Sequence, residues 1–529
     1  MGWAELGRCV AGARARLAAR AAAPRAAQEA LLRAILQRHA ACAFGRQHGF
    51  ATLPDLRAFQ QAVPAGDAES LAPWVEAMAD GETGGLVDEP LQAFERTGGS
   101  TGGARLIPYT ASGLACQREG LHAWLDDLGS ARPAIRAGRS YWSISPAARA
   151  PTSTAGGVRI GMASDAEYFG AAAAPIVSLL AVPAAVAALP DIGAWRAVTL
   201  QALLADASLS LVSVWSPTFW LELCRHAVAQ GDALCAAIAA GRWAVALPAA
   251  LQPLLPAPVA DPARAALVRR ALASTPPDWA TLWPRLALLS CWTHASAEPW
   301  ALELAREFPQ VEVQGKGLLA TEGLVSLPLC DGGDPVAALS STVLEFDDGQ
   351  GRALACDEVT PGGEYEVLMT TSAGLYRYRL GDRVRVTGWW HGAPRLRLLG
   401  RSAGSSDLCG EKLTEAFVMA CWRTLPDPGC GRLVPQASPR PHYRLLLDAA
   451  RHDDAAAATL VARLDLALRD NPQWAYARDL GQLGALVPQR VPQLAARLQA
   501  QSLALGQRLG DGKPAVLGRL GEPGLADPA

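Results

Sequence analysis

Short apolar runs alternate with helical segments through the middle of the chain, from Phe94 to about Ala393. A typical unit starts with the apolar run 286–290, continues with a helical pattern over 297–308 and ends with the apolar run 311–313. Because a strand, a helix and a second strand in this order usually form a parallel pair, the rhythm predicts a parallel sheet covered by helices. We therefore expect an α/β core.

The pattern changes after residue 360. Between 364 and 399, apolar and polar residues alternate with a period of two. This spacing gives each segment one apolar face, and it predicts consecutive, antiparallel strands. The predicted strands are Glu364–Met369, Leu375–Arg379, Val384–Trp389 and Arg395–Leu399.

Helical spacing returns near both ends of the chain. Residues 3–45 are rich in Ala, Leu and Arg and predict helices that break near Pro24. Beyond a Gly/Ser-rich segment at 400–406, the spacing predicts the helices 414–425, 455–468 and 488–509.

These changes predict two domains in an α/β protein. Residues 1–398 are expected to form a large N-terminal α/β domain with parallel and antiparallel sheets. Residues 399–529 are expected to form a small, mobile α+β domain.

Charge and cysteine content limit the partners and the compartment. The 48 basic and 50 acidic residues nearly cancel, which gives no electrostatic reason to expect nucleic acid or an anionic membrane as a partner. The eleven cysteines form no CxxC pair, and the first residues carry an acid and no long apolar run. From this start we expect no signal peptide. We expect a cytoplasmic protein that is a monomer.

One uncharged stretch, Phe169–Leu189, is long enough to span a bilayer. It contains two prolines, and nine of its 21 residues are alanine, which is only weakly apolar, so we expect a buried core segment rather than a membrane helix.

Lysine is rare in this chain. Of the 48 basic residues only Lys316, Lys412 and Lys513 are lysines, and Asn471 is the single asparagine. Lysine and asparagine have AT-rich codons, so a GC-rich genome explains this bias. The same pressure should replace any lysine whose role arginine can fill. Because arginine cannot imitate a compact charge on a flexible stem, the three lysines are candidates for chemistry.

A glycine-rich segment, Thr97–Arg105, is the strongest local signal. Its four glycines allow close approach of the backbone to a ligand, and its hydroxyls and N–H groups suit phosphate oxygens. The segment lacks the Walker pattern. Within it, 98–102 also fits the hydrolase pattern GxSxG, which needs a later acid and a histidine. The histidines available are His294, His391 and His442.

Three further segments carry groups that suit a nucleotide. Thr321 and Glu322 could hold a phosphate and its Mg²⁺, or they could cap a helix N-terminus. Asp382 follows a predicted strand and a glycine, so an exposed strand end could present its carboxylate to ribose hydroxyls. Lys513 lies in a Gly-rich loop after the last predicted helix, where it could reach into a cleft.

Taken together, these segments resemble the Gretchen Hagen 3 (auxin-responsive promoter) family of acyl-acid amido synthetases, in its bacterial branch, within the acyl-adenylate-forming superfamily. The closest match is the run Thr370–Asp382, which continues through 384–388. The resemblance extends from Gly45 to Lys513. Other matching segments are Ser216–Phe219, Leu282–Pro284, Ser290–Trp292, and Asn471 and Pro472 with Tyr476.

The resemblance implies ATP and Mg²⁺ as cofactors and a carboxylic acid and an amine, such as an amino acid, as substrates. It implies that Thr321 contacts the α-phosphate, that Glu322 ligates Mg²⁺ and that Asp382 binds the ribose. It also implies that Lys513 or Lys412 reaches the phosphate during adenylation. The remaining nucleotide-binding residues that it implies are Thr97, Gly99, Ser100, Thr101, Gly102, Tyr378 and Arg401.

The sequence departs from the family at two positions and leaves the acid unidentified. Gly98 stands where the family has a second hydroxyl, and Arg105 stands near the usual lysine. A catalytically silent nucleotide-binding relative therefore remains an alternative. A ligase with a thiol acceptor such as coenzyme A is another. Candidate walls of the acid pocket, chosen by local position, are Tyr141, Trp142, Trp215 and Phe219.

Overall fold

Two compact units make up this computed structural model of the chain. It describes residues 2–96, 105–142, 152–162, 165–189, 191–255, 257–401, 405–406, 408, 411, 413–436, 441–479, 483–504 and 515–518. The first unit comprises Met1–Thr293, Ala301–Leu380 and Val384–Leu398. The second comprises His294–Trp300, Gly381–Arg383 and the chain from Leu399 onward.

Six α-helices precede the first strand in the described part of the chain. Pro24 occupies the first turn of the third, where its missing N–H costs nothing. Leu32, Ile35 and Leu36 of that helix face the core, as the helical spacing predicts. The helices are α1 (Gly2–Val10), α2 (Ala13–Ala22), α3 (Pro24–Arg38), α4 (Ala43–Gln47), α5 (Leu56–Ala62) and α6 (Ala68–Ala79).

Strands and helices then alternate up to residue 315. In order, they are β1 (Leu91–Arg96), β2 (Leu106–Thr110), α7 (Ala111–Ala131), β3 (Arg139–Trp142), β4 (Thr152–Ser153), β5 (Arg159–Ile160), α8 (Ala173–Leu179), α9 (Ile192–Ala205), β6 (Leu209–Ser213), α10 (Pro217–Ala229), α11 (Gly231–Ala240), α12 (Pro262–Ala273), α13 (Trp279–Leu282), β7 (Leu288–Cys291), α14 (Glu298–Glu307) and β8 (Glu312–Gly315).

A parallel sheet with the strand order β3-β6-β7-β8 confirms the α/β core. Every residue of β6 and β7 is buried, as expected for parallel strands covered on both faces. A second, mixed sheet has the order β2-β1-β5-β4.

The stretch Phe169–Leu189 forms short helical turns in the core, and Phe169, Ile176 and Leu189 are buried there. Among the helices that the structure describes, none has the length and apolarity needed to cross a membrane.

A seven-stranded sheet follows, with the order β11-β12-β17-β16-β15-β13-β14. Two predicted strands, 375–379 and 384–389, are wrong as separate elements, because one long strand begins at Tyr378 and includes 384–389. The strands are β9 (Leu319–Ala320), β10 (Gly323–Leu324), β11 (Ser326–Leu327), β12 (Val336–Ala337), β13 (Val343–Asp347), β14 (Ala353–Ala355), β15 (Glu364–Thr370), β16 (Tyr378–Trp390) and β17 (Ala393–Arg401), of which β9 and β10 form a separate hairpin.

The second unit combines helices with a three-stranded sheet of order β20-β21-β22. The helix predicted from residue 488 is wrong at its start, because 488 belongs to a strand that pairs in parallel with β21. The elements are β18 (Ser405–Ser406), β19 (Leu413–Thr414), α15 (Glu415–Arg423), β20 (Gly431–Gln436), β21 (His442–Asp448), α16 (Asp454–Leu468), α17 (Pro472–Asp479), β22 (Val487–Val491) and α18 (Leu494–Ala504).

Arg377 ties the seven-stranded sheet to the N-terminal helices. Its guanidinium Nε lies 3.0 Å from Oε1 of Glu345, and both side chains are almost fully buried. The same guanidinium donates to the backbone oxygens of Gln60 and Val63, at 2.9 and 2.7 Å. Arg377 adopts a left-handed backbone conformation (φ 46°), which a non-glycine residue keeps only when its surroundings hold it.

We expect Glu345→Gln to lower the free energy of unfolding by about 3–5 kcal/mol, because it leaves the buried charge of Arg377 uncompensated. The matched control is Glu364→Gln, which removes the carboxylate of an exposed pair with Arg385 and should cost no more than about 1 kcal/mol. Urea unfolding of the three proteins measures the difference. Equal losses for the two variants would contradict the importance of the buried pair.

Candidate active site

The four parallel strands end at one edge of their sheet. Their last residues are Trp142 in β3, Ser213 in β6, Cys291 in β7 and Gly315 in β8. In α/β proteins, ligands bind outside the carboxyl ends of such strands. This edge is therefore a candidate ligand site.

Lys316 follows β8 directly and lies at this edge. Its backbone N–H donates to the carbonyl oxygen of Cys291 at 3.0 Å, which continues the ladder between β7 and β8. Its Nζ donates to Oγ of Ser213 at 2.7 Å. The amine also lies 5.2 Å from the ring centroid of Trp124 and 5.3 Å from that of Trp215. Only 7 % of the residue is exposed.

Burial lowers the pKa of Lys316 to about 7, because removal from water disfavours the charged amine. The neighbouring Cys291 thiol has a pKa raised to about 12, again by burial, so it stays neutral near pH 7. The Lys316 amine therefore changes its charge in the physiological range.

A row of polar side chains lies beside this amine. Ser213, Ser290 and Gln314 are paired in register, so their side chains share one face of the sheet. Oε1 of Gln314 accepts from Nε1 of Trp124 at 3.3 Å. The buried hydroxyl of Ser290 has no hydrogen-bond partner within the part of the chain that the structure describes. Buried polar groups of this kind normally have a hydrogen-bond partner, so the Ser290 hydroxyl is available to bind a ligand.

The four candidate walls of the acid pocket separate into two places. Trp142 packs against Trp124, and Trp215 packs beside Lys316, so these two indoles lie at the polar edge. Tyr141 points to the opposite face, where its ring contacts Trp220. Phe219 is also buried, against Trp195.

Thr321 and Glu322 form the two-residue tip of the hairpin β9–β10. The alternative that they cap a helix is wrong, because both neighbours are strands. The backbone oxygen of Thr321 accepts from the Tyr109 hydroxyl at 2.6 Å, which fixes the tip. Both side chains are half-buried.

Asp382 differs from its predicted placement. It lies within the long strand β16 and is only 1 % exposed, so it is not at an exposed strand end. Tyr378 begins the same strand and is buried. Arg401 is the last residue of β17.

Residues 97–104 of the glycine-rich segment and the two other lysines lie outside the described residues, so the structure says nothing of their positions. These predicted site residues are Thr97, Gly99, Ser100, Thr101, Gly102, Lys412 and Lys513.

Described residues lie within three positions of each of those lysines in the sequence. Glu411 is fully buried; it accepts from the Tyr443 hydroxyl and from the backbone N–H of Leu408, the latter at 2.7 Å. Farther on, the Glu415 carboxylate accepts from the backbone N–H groups of Val516 and Leu517, at 2.7 and 2.8 Å.

The sequence marked Lys316 as a candidate through the rarity of lysine, but it assigned this residue no position in the site and no role. It missed Ser213 and Trp124 altogether, and no local motif marks either residue.

Comparison with known proteins identifies relatives. The GH3 family N-terminal domain matches residues 13–313, and the GH3 family central domain matches residues 340–401. A probable indole-3-acetic acid-amido synthetase GH3.12 from Oryza sativa subsp. japonica is 27 % identical over 430 residues, which are 71 % of this chain and 68 % of that protein.

Two solved structures share the fold. The GH3.15 acyl acid amido synthetase superposes with a TM-score of 0.82 at 19 % identity, over 95 % of this chain and 93 % of that one. A 2-hydroxyisobutyryl-CoA ligase in the postadenylation state, in complex with 2-HIB-AMP, superposes with a TM-score of 0.54 at 14 % identity, over 88 % and 85 % of the two chains.

We expect Lys316→Met to stabilise the protein below pH 7, on the order of 2–5 kcal/mol, because it removes a buried charge without opening a large cavity. The pKa of this lysine is lowered on folding, so the unfolded chain binds the extra proton between about pH 7 and 10.5. Wild-type stability should therefore rise with pH across that window, and the advantage of the variant should vanish near pH 10.

Urea unfolding at pH 6, 8 and 10 measures this pH dependence. Arg352→Met, which changes an exposed cation to the same side chain, is the matched control and should show no such trend. A constant difference between wild type and Lys316→Met at all three pH values would contradict the burial of a titrating amine.

Proposed function

The chain belongs to the GH3 family, and from that premise we propose which of its residues carry out the reaction. The protein is an acyl-acid amido synthetase. It activates a carboxylic acid with ATP and then transfers the acyl group to an amine, which forms an amide.

In the first step, a carboxylate oxygen of the acid attacks the α-phosphorus of ATP. The bond to the β-phosphate breaks and pyrophosphate leaves with its electron pair, giving the acyl-adenylate. In the second step, the amine nitrogen attacks the acyl carbon, the bond to AMP breaks and the amine loses a proton. Exclusion of water between the two steps protects the mixed anhydride.

The placement of Thr321 and Glu322 carries the assignment of the nucleotide site. The pair occupies a tight hairpin tip soon after β8, so its backbone is held by strands on both sides. We assign the Thr321 hydroxyl to the α-phosphate of ATP. Ser100 and Thr101, in the glycine-rich segment, are assigned to the other phosphates, and Asp382 is assigned to the ribose hydroxyls.

The Glu322 carboxylate fits Mg²⁺. Magnesium in nucleotide sites is bound by one or two carboxylates together with phosphate oxygens and water, so a dedicated cluster is not needed. Within the described residues no group of three or more His, Cys, Asp or Glu side chains could hold a metal by itself. The ion neutralises charge on the phosphates of ATP.

We assign the lysine that reaches the developing phosphate charge to Lys513, with Lys412 as the alternative. Lys513 lies three residues before Val516, which the Glu415 carboxylate holds. Lys412 follows Glu411, which is buried and hydrogen-bonded. We assign residues 1–398 to the substrates and 399–529 to a mobile domain that delivers the lysine.

The finer features of the proposal rest on the resemblance and on the relatives. We propose that the chain belongs to the bacterial branch of the family, as the resemblance implies. We propose an amino acid as the amine, because relatives are named amido synthetases and jasmonoyl–L-amino acid synthetases. We also propose a cytoplasmic monomer.

Trapping with hydroxylamine tests the function. Purified protein, ATP and Mg²⁺ are mixed with a panel of aryl, indolyl and aliphatic acids, and pyrophosphate release and hydroxamate are measured. We expect one class of acid to give both products. We expect Glu322→Ala to lower the rate at least about tenfold and to raise the Mg²⁺ concentration that is needed.

Amino acids added in place of hydroxylamine should give amides, whereas coenzyme A should not be consumed. Consumption of coenzyme A would favour the thiol-acceptor alternative. If ATP neither binds nor turns over with any acid, the protein is a catalytically silent relative.

A further inference from the structure

The Lys316 amine is a buried cation whose partners are incomplete. An ammonium group has three N–H donors. Of these, one is used by Oγ of Ser213, and the faces of Trp124 and Trp215 provide only a weaker electrostatic contact. Among the described residues, no carboxylate lies within 4 Å of the amine.

The segment that follows β3 in the sequence, residues 143–151, contains neither aspartate nor glutamate. The groups near the amine on β6, β7 and α7 are the Ser213 hydroxyl, the Cys291 thiol and the Trp124 indole. All three are neutral near pH 7.

Burial of an unpaired charge costs free energy, and an anion that pairs with this amine offsets part of that cost. The amine also lies where four parallel strands end, and ligands of α/β proteins bind at such edges. The indole of Trp215 lies beside the amine, and that of Trp142 packs against Trp124, so both offer flat apolar surface near this edge.

We propose that Lys316 binds the carboxylate of the acyl-acid substrate and that Trp215 contacts the apolar part of that substrate. This inference rests on the function proposed above and assigns a residue to its acid site. A carboxylate here completes a neutral pair with the amine. The Ser290 hydroxyl, on the same face of the sheet as Ser213, is a further donor that no described group uses. The pair also holds the attacking oxygen in a water-poor site.

The proposal predicts that kcat/KM for the acid depends on the charge of Lys316 and therefore on pH, whereas the KM for ATP does not depend on that charge. Below pH 7 the free amine is charged and ready to bind a carboxylate. Above pH 7 each binding event must take up a proton, so kcat/KM for the acid should fall up to tenfold per pH unit. The Cys291 thiol stays neutral through this range and adds no second step.

The test compares each acid with its primary alcohol, which keeps the apolar part and loses the charge. The pairs are indole-3-acetate with indole-3-ethanol, phenylacetate with 2-phenylethanol, and benzoate with benzyl alcohol. Binding is measured by calorimetry, and acid-dependent exchange of pyrophosphate into ATP gives KM. The proteins are wild type, Lys316→Met and the surface control Arg352→Met.

For the acid that wild type turns over, we expect Lys316→Met to weaken binding and raise KM at least about 30-fold. The affinity of the alcohol and the KM for ATP should change less than about threefold. The fall in kcat/KM above pH 7 should be lost in the variant, and the wild-type pH profile tests the proposal without any variant.

Unchanged acid binding in Lys316→Met, or equal losses for acid and alcohol, would overturn the role of Lys316 while leaving the adenylation itself in place. If wild type neither binds nor turns over any acid of the panel, both the proposed function and this inference fail.

Discussion

The shared register of four short parallel strands is the constraint on which the rest of the site depends. It brings the ends of β3, β6, β7 and β8 to one edge and sets Ser213, Ser290 and Gln314 in a row. Lys316 comes next in the chain and so has to lie over that row, beneath Trp124 of the covering helix. Because the strand register positions these side chains, they can bind a charged ligand group without a large rearrangement of the sheet.

Much of the fold could be predicted from hydrophobic periodicity, because parallel strands that are buried on both faces leave continuous apolar runs. The segment around Arg377 could not. Its left-handed backbone is held by Glu345 and by two carbonyl groups more than 300 residues away in sequence. Likewise, Pro488 joins a strand because β21 is beside it, and no local pattern indicates that neighbour.

The candidate site was predictable in part. Rarity marked Lys316 as a residue that arginine could not replace, and the resemblance to a family marked Thr321, Glu322 and Asp382. The contact between Lys316 and Ser213 spans 103 residues, so it exists only after folding. Side chains alternate between the two faces of β3, so Tyr141 and Trp142 lie on opposite faces of the sheet. Local position in the sequence had grouped the two residues in one pocket.

The most direct test is the charge state of Lys316 with and without acid. Because the chain has three lysines, protein labelled with ¹³C at the lysine ε carbon gives three signals, and Lys316→Met identifies the one of interest. We expect that signal to titrate near pH 7 in the free protein and at a clearly higher pH when the acid is bound, since a carboxylate stabilises the ammonium. The same midpoint in both states would contradict the assignment of Lys316 to the acid site.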